Sequence, residues 1–307
     1  MKAITYEEFG DLDILALSEV PDPKVGPGEV LIRVRSASVN PVDWKVAKGY
    51  LAGLMNVQFP AIPGWDVAGV VEKVGLDTPE FAVGDEVIAY ARKDWVHGGT
   101  YAELVTAPVR TVARKPRSLD WDEAAGLPLA GLTAYQLLRR LDTTAGDTVL
   151  IHAAAGGVGI LGVQIARAMG ARVIGTASEA NHEFLRSLGV EPVTYGDGLA
   201  ARVRELAPEG VDVVADFVGG VLEATLAVLK PGGRHGSVTD ASVEEHGGLS
   251  MWVRPSAEDL TALGDLADAG TLTVPVAASF PLKDTAKAFE LSQGGHVRGK
   301  IAIEVSR

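Results

Sequence analysis

Between Asp147 and Ser178 the chain spaces small residues as a pyrophosphate-holding turn requires. Ala154-Ala155-Gly156-Gly157-Val158-Gly159 falls on the G-x-G-x-x-G frame, with alanine first, Gly156 second and Gly159 third. Gly156 would let backbone N–H groups approach a pyrophosphate at the positive end of a following helix, and Gly159 would let that helix pack closely on the strand before it. Glycine turns also join strands to helices in proteins that bind nothing, so the elements around this one must decide. In the NAD form of such a site, an acidic side chain roughly 20 residues on takes the ribose 2′-hydroxyl. Counting from Gly159 to the end of the next strand reaches Ser178, with His182 and Arg186 one and two turns into the following segment. Serine can hydrogen-bond a phosphate without repelling it, which favours NADP(H). Glu179 is the contrary sign, because a shift of one residue would put a carboxylate at the ribose.

The elements needed to position these residues are present. Val149-Leu150-Ile151 is a short apolar run, as expected of a strand buried on both faces. Ile160, Val163, Ile165, Ala166 and Met169 spread over a mainly apolar helix that Gly170 ends, and Arg172-Val173-Ile174 resumes a strand. Helices over 181–188, 199–206 and 222–229 alternate with strands over 192–195, 211–217 and 234–238, which predicts a doubly wound parallel sheet. A last long helix runs from Ser256, its N-cap, to Ala269. Before about Trp121 the texture differs: Pro and Gly punctuate short β-like runs such as 2–6, 29–35, 67–74, 86–90 and 101–106, as in an irregular β-barrel. The expected organisation is a β-rich domain over 1–121, a nucleotide-binding domain over 122–270, and a return over 271–307 to β texture that closes back onto the first domain.

Composition narrows the function classes. A chain of 307 residues with 47% hydrophobic content can bury two cores. Its net charge of −12 opposes nucleic acid or an anionic membrane as a main partner. The densest positive run, Arg110 to Arg117, reads as a solvated strand-loop edge. Cysteine is absent, which excludes disulfides, thiolate nucleophiles and cysteine-zinc sites. The six histidines, at 97, 152, 182, 235, 246 and 296, show no helical i, i+4 pairing around a carboxylate. The charged start MKAITYEEFGD is no secretory signal, no apolar run suggests a membrane span, and a cytoplasmic location is expected by default.

Several segments, taken together, are more specific than the glycine turn. They are Pro27-Gly28-Glu29-Val30-Leu31, Asn40-Pro41-Val42-Asp43, Pro63 to Val71, Gly99 to Glu103, Leu132-Thr133-Ala134-Tyr135, Ala154 to Gly159, Lys230-Pro231-Gly232-Gly233 and Gly299-Lys300-Ile301. Over essentially its whole length the chain resembles the medium-chain dehydrogenase/reductases, in their zinc-free, zeta-crystallin-like NADPH:quinone oxidoreductase branch. The resemblance implies a GroES-like catalytic domain wrapped around a Rossmann domain. Zinc alcohol dehydrogenases of this superfamily carry cysteine near the position of Asn40, Gly-His-Glu where this chain has Gly64-Trp65-Asp66, and a four-cysteine lobe after the Ile88 strand. None of those ligands occurs here. The implied reaction is hydride transfer from NADPH to a quinone or an α,β-unsaturated carbonyl, whose developing oxyanion needs a hydrogen bond and a proton.

Roles follow from the resemblance position by position. Asn40 would lie near the nicotinamide and substrate and donate to the oxyanion, with Asp43, Trp44 and Tyr50 on the same segment; alternatively Asn40 caps its own turn, as Asn before Pro often does. Tyr50 is a candidate proton donor or an aromatic lid, and Trp44 and Trp65 are pocket walls or core residues. Thr133 and Val218 would face the nicotinamide end, Ala155 through Gly159 the pyrophosphate, and Ser178, His182 and Tyr195 the ribose and its 2′-phosphate. Histidine, mostly neutral at pH 7, grips phosphate less firmly than the basic residue common in relatives. Lys300 would lie near the phosphates or be a solvated charge, and Ser178 could be a helix N-cap. The resemblance also implies a homodimer. Competing functions are a non-catalytic NADPH-binding protein and an enoyl-thioester reductase.

Overall fold

The structure, a computed structural model, describes residues 1–306. It divides into two compact units, Met1–Leu132 with Pro255–Arg307, and Thr133–Arg254. In chain order the first stretch carries β1 (Lys2–Thr5), β2 (Ala16–Glu19), β3 (Glu29–Val39), α1 (Pro41–Ala47), β4 (Asn56–Ile62), β5 (Asp66–Val74), β6 (Glu86–Tyr90), β7 (Trp95–Gly98), β8 (Leu104–Pro108), β9 (Val112–Arg114) and α2 (Trp121–Gly126). Next come α3 (Pro128–Arg140), β10 (Thr148–Ile151), α4 (Gly159–Ala168), β11 (Arg172–Ala177), α5 (His182–Ser187), β12 (Glu191–Thr194), α6 (Leu199–Leu206), β13 (Val211–Asp216), α7 (Leu222–Val228), β14 (Leu229–Ser237) and β15 (Leu249–Ser250). The chain ends with α8 (Ala257–Asp268), β16 (Val276–Pro281), α9 (Thr285–Gly294) and β17 (Lys300–Glu304).

The sequence sets its boundaries at 121/122 and 270/271, whereas the compact units part at 132/133 and 254/255. Packing explains the displacement. Helix α2 lies on β3, β5 and β17, and α8 lies on β9, so both helices belong with the β-rich unit.

In the first unit, a seven-stranded sheet runs β16-β17-β3-β5-β6-β9, with β8 also paired to β3. Val30, Ile32, Val34, Val67, Val71, Val87 and Val105 fill its interior from alternate strand positions, and Leu31, Ala68 and Ile88 on the opposite face are buried as well. Antiparallel register sets Ile301 opposite Val39 and Ser38 opposite Asp66. The residues at these strand ends, Asn40, Asp66 and Lys300, therefore come together although they are far apart in sequence. Two segments expected to be β or irregular are helical. Pro41 pre-sets the first turn of α1, and α9 buries Thr285, Ala288 and Phe289 against the sheet.

In the second unit six parallel strands follow the order β12-β11-β10-β13-β14-β15. Numbered within the unit, that is 3-2-1-4-5-6, the order of the doubly wound dinucleotide fold, which reverses between the first and fourth strands. Lys230-Pro231-Gly232-Gly233, which falls between the expected helix over 222–229 and strand over 234–238, lies inside β14 as an irregularity that shifts its register against β13.

Candidate active site

In the second unit, β10 runs into the turn His152 to Val158, at the carboxyl end of the strand where the order reverses. The turn is tight. Ala153 has a φ of +54°, and its N–H donates to Thr176 Oγ1 at 3.0 Å. A Cβ on Gly159 would stand 2.1 Å from the Ala153 carbonyl oxygen, so only glycine lets α4 start this close to the strand. At Gly156 a Cβ would meet only that carbonyl, at 3.3 Å. Among the described residues the N–H groups of Gly157 and Val158 donate to no partner, whereas those of Gly156, Ile160 and Leu161 close the turn. Free N–H groups at the start of a ten-residue helix suit a pyrophosphate, so this chain's turn fits a dinucleotide. Ala155 is buried beside it, and Thr133 is buried on α3.

After β13, Asp216 organises a second turn, accepting from the N–H groups of Val218 at 2.8 Å and Gly219 at 3.0 Å. Ser237 Oγ donates to the other oxygen of Asp216 at 2.7 Å. The turn leaves Val218 55% exposed. At the end of β11, the Ser178 side chain makes no helix-capping bond; its oxygen accepts from Asn181 Nδ2 at 3.2 Å, and its proton is left to donate. Glu179 and Arg186 are exposed. His182 is partly buried, with Nε2 enclosed and without a hydrogen-bond partner. Tyr195 is half exposed, and Arg202 braces its turn by donating to the carbonyl of Thr194 at 2.8 Å and that of Asp197 at 2.8 Å. Asp216 and Arg202 carry no motif and were invisible from the sequence.

The first unit holds a buried polar cluster. Asn40 is the N-cap of α1 and faces Asp43 in a capping box, while its carboxamide finds its close partners outside the helix. The Asn40 N–H donates to Asp43 Oδ2 at 2.8 Å, while the carboxamide bridges two charges: Lys300 Nζ donates to Oδ1 at 2.6 Å, and Nδ2 donates to Asp66 Oδ2 at 2.8 Å. Asp66 also accepts from Ser38 Oγ at 2.9 Å and, through Oδ1, from the Leu129 N–H in the first turn of α3 at 2.8 Å. Tyr101 donates to Asp43 Oδ2 at 2.8 Å. The Tyr101 ring can come this close because residue 64 is glycine: with φ at +92°, a Cβ there would stand 2.6 Å from the ring.

Asn40, Asp43, Asp66, Tyr101 and Lys300 are all at most 4% exposed. Burial pushes the Asp43 carboxyl up to about 7, against the downward pull of the Asn40 N–H and the Tyr101 hydroxyl. Burial likewise raises Asp66, with Lys300 and Asn40 opposing, and lowers Lys300, with Asp66 and then Asp43 opposing. Two carboxyls facing one ammonium balance when one carboxyl keeps its proton, and Asp43 is the one placed to keep it.

Other expected residues lie elsewhere. Lys300 is not a solvated charge; it is enclosed, and donates also to the Val39 carbonyl at 3.3 Å. Tyr50, 67% exposed, stands outside the cluster, and the tyrosine within it is Tyr101. Trp44 packs with the core around Phe289, its indole donating to Ser292 Oγ at 3.2 Å. Trp65 is buried against Tyr90, with ring centroids 6.1 Å apart.

Comparison with known proteins gives these two units their context. Residues 26–117 match the alcohol dehydrogenase GroES-like domain, and residues 188–303 match the zinc-binding dehydrogenase domain. Despite the second name, the chain has no cysteine, and among the described residues no group of three or more His, Cys, Asp or Glu is placed to hold a metal ion. The chain is 34% identical over 312 residues to an NADPH-dependent alkenal/one oxidoreductase of Arabidopsis thaliana, a chloroplastic protein, covering 99% of this chain and 79% of that one. It is similar to the solved quinone oxidoreductase of Coxiella burnetii, with 35% identity, a TM-score of 0.87, and coverage of 100% of this chain and 99% of the other. A mycobacterial protein solved in complex with NADPH is 30% identical, with a TM-score of 0.84 and coverage of 99% and 100%. Whole-length similarity at this level, on a GroES-like unit and a Rossmann unit, places the chain: it belongs to the medium-chain dehydrogenase/reductase family, in its quinone oxidoreductase branch.

Proposed function

We propose that the protein is an NADPH-dependent reductase of quinones or α,β-unsaturated carbonyls. The carrying observation is the Asn40 carboxamide, buried and bonded on both sides, with one N–H still free to stabilise an oxyanion. The relatives' printed activities support the same substrate class. Gly156, Gly157, Val158 and Gly159, with Ala155 beside them, hold the pyrophosphate; Thr133 and Val218 serve the nicotinamide end; Ser178, His182 and Tyr195 serve the adenosine ribose. Bound there, NADPH supplies the hydride.

What the chain's own residues do is orient and stabilise. The free Asn40 N–H donates to the carbonyl oxygen of the acceptor as negative charge gathers on it. Asp43 keeps a proton near neutrality beside Tyr101, which keeps the cluster behind Asn40 from carrying excess negative charge that would oppose the oxyanion. Preference for NADPH over NADH rests on the uncapped hydroxyl of Ser178, with no carboxylate at that position. The reading also takes the protein as a cytoplasmic homodimer, on the sequence features that suggest each. Among the described residues, no helix is long and apolar enough to cross a membrane.

The test is turnover of NADPH with 1,4-benzoquinone and with a simple enone. Consumption well above the buffer rate, with the enone reduced at its carbon–carbon double bond, is expected. Binding of NADPH without turnover across a broad acceptor panel would overturn the reading in favour of a non-catalytic binding protein.

A further inference from the structure

The two groups that flank the Asn40 carboxamide are chemical opposites. Lys300 faces its oxygen at 2.6 Å and Asp66 its nitrogen at 2.8 Å. An ammonium has three donors and no acceptor, and an ionised carboxylate only accepts. Turning the amide over would set N–H against ammonium and carbonyl against carboxylate, so its orientation is dictated by its partners. Those partners are themselves held. Lys300 donates again to the Val39 carbonyl, and its stem runs so close to Gly126 that a Cβ there would lie 3.1 Å from Lys300 Cγ. Asp66 is fixed by Ser38 Oγ at 2.9 Å and the Leu129 N–H at 2.8 Å. The amide nitrogen carries two protons, of which Asp66 takes one; the other donates to no described residue. With its oxygen engaged by Lys300, Asn40 is left with a hydrogen bond to give.

We propose that Lys300 and Asp66 are positioning residues that lock Asn40 as a one-way hydrogen-bond donor, selecting acceptors whose oxygen gains negative charge over hydroxyl compounds that must surrender a proton. A buried ammonium and carboxylate are costly to desolvate, and an amide interposed between them is accounted for by this use. The inference rests on the reading of Asn40 as donor to the acceptor's oxygen, and its test separates the two.

Asparagine occurs at positions 40, 56 and 181 only, so growth on ¹⁵N-asparagine labels three side-chain amides. Asn40 is identified by its absence from Asn40→Ala, and the exposed Asn56 is the reference. In the unmodified protein one Asn40 side-chain proton exchanges with solvent at least about tenfold more slowly than those of Asn56, as a buried bond to carboxylate requires. Exchange of both protons at the Asn56 rate would overturn the lock with no variant needed. Lys300→Met shifts the Asn40 pair and removes its protection, and Lys300→Arg preserves both; a pair unmoved in Lys300→Met would also overturn it. Enone turnover falls about tenfold in Lys300→Met with KM for NADPH unchanged, and the same change in the Asn40→Ala background costs nothing further. Equal losses in both backgrounds would show that Lys300 does not act through Asn40. If Asn40→Ala keeps the full enone rate while the exchange signature holds, the donor role and the selectivity fall and the lock stands.

Discussion

The Tyr101 hydroxyl donates to Asp43 Oδ2 at 2.8 Å, and with the Asn40 N–H it loads one oxygen of that carboxyl, while Oδ1 stays buried without a partner. A hydrogen bond to an ionised acceptor is stronger than one to a neutral acceptor. Tyr101→Phe should therefore cost about 1.5–3 kcal/mol of stability at pH 8, where Asp43 is largely ionised, and about 1 kcal/mol at pH 5, where it is protonated. Urea unfolding at the two pH values measures the difference, and equal costs would contradict the proton placement on Asp43.

Asp43→Asn isolates the carboxyl's own titration. The folded state holds the Asp43 proton up to about pH 7, whereas an unfolded aspartate releases it near pH 4. Between those values the native state binds more protons than the unfolded state, so the wild type loses stability as pH rises through the window. The variant has no such loss. Its stability relative to wild type should rise by a few kcal/mol from pH 4 to pH 8, and a flat difference would place the proton elsewhere.

The second unit contains the opposite case. His152, fully enclosed with Nε2 3.2 Å from Thr225 Oγ1, is pushed by burial down to about 4. Here the unfolded state binds the extra proton, so stability present above pH 6.5 is lost as pH falls toward 4. His152→Gln should flatten that acid limb, reducing by a few kcal/mol the stability lost between pH 7 and pH 4.5. Thermal unfolding at those two pH values reads it, and an acid limb as steep as that of wild type would count against the buried neutral imidazole.

How much of this was legible in the sequence depended on whether the signal was local. Strand, glycine turn and helix from Val149 to Ala168 are consecutive, and their periodicity and small residues mark them directly. Helix α1 is only seven residues long, and α9 buries only Thr285, Ala288 and Phe289, too few apolar positions to show a helical period. The cluster was still less readable. Asn40, Asp66 and Lys300 meet only because three strands end together in antiparallel register, and no spacing encodes that. Tyr50 and Tyr101 each follow a glycine-containing stretch, and what separates them is packing: Tyr101 lies against Phe289, with ring centroids 5.8 Å apart, while Tyr50 faces solvent.

Gly159→Ala tests the tightness of the turn after β10. The added methyl would lie 2.1 Å from the Ala153 carbonyl oxygen, and the backbone on both sides is pinned by hydrogen bonds. Overpacking of this kind costs about 1–3 kcal/mol. NADPH affinity should fall with it, because relief requires Ala153 and the free N–H groups of Gly157 and Val158 to move. Thermal unfolding and fluorescence titration measure the two effects, and unchanged affinity would detach the turn from cofactor binding.

Ser178→Asp tests cofactor choice. The Ser178 hydroxyl is uncapped and its proton is free, so a 2′-phosphate can take it. A carboxylate in the same place repels that phosphate but can accept from a ribose hydroxyl. NADPH should bind at least about tenfold more weakly to the variant, about 1.4 kcal/mol, while NADH binds as well as before or better. Titration of both cofactors by protein fluorescence decides the matter. If the wild type already prefers NADH, the ribose partner is the exposed Glu179 one residue on, and Glu179→Gln rather than Ser178→Asp becomes the change that moves the ratio.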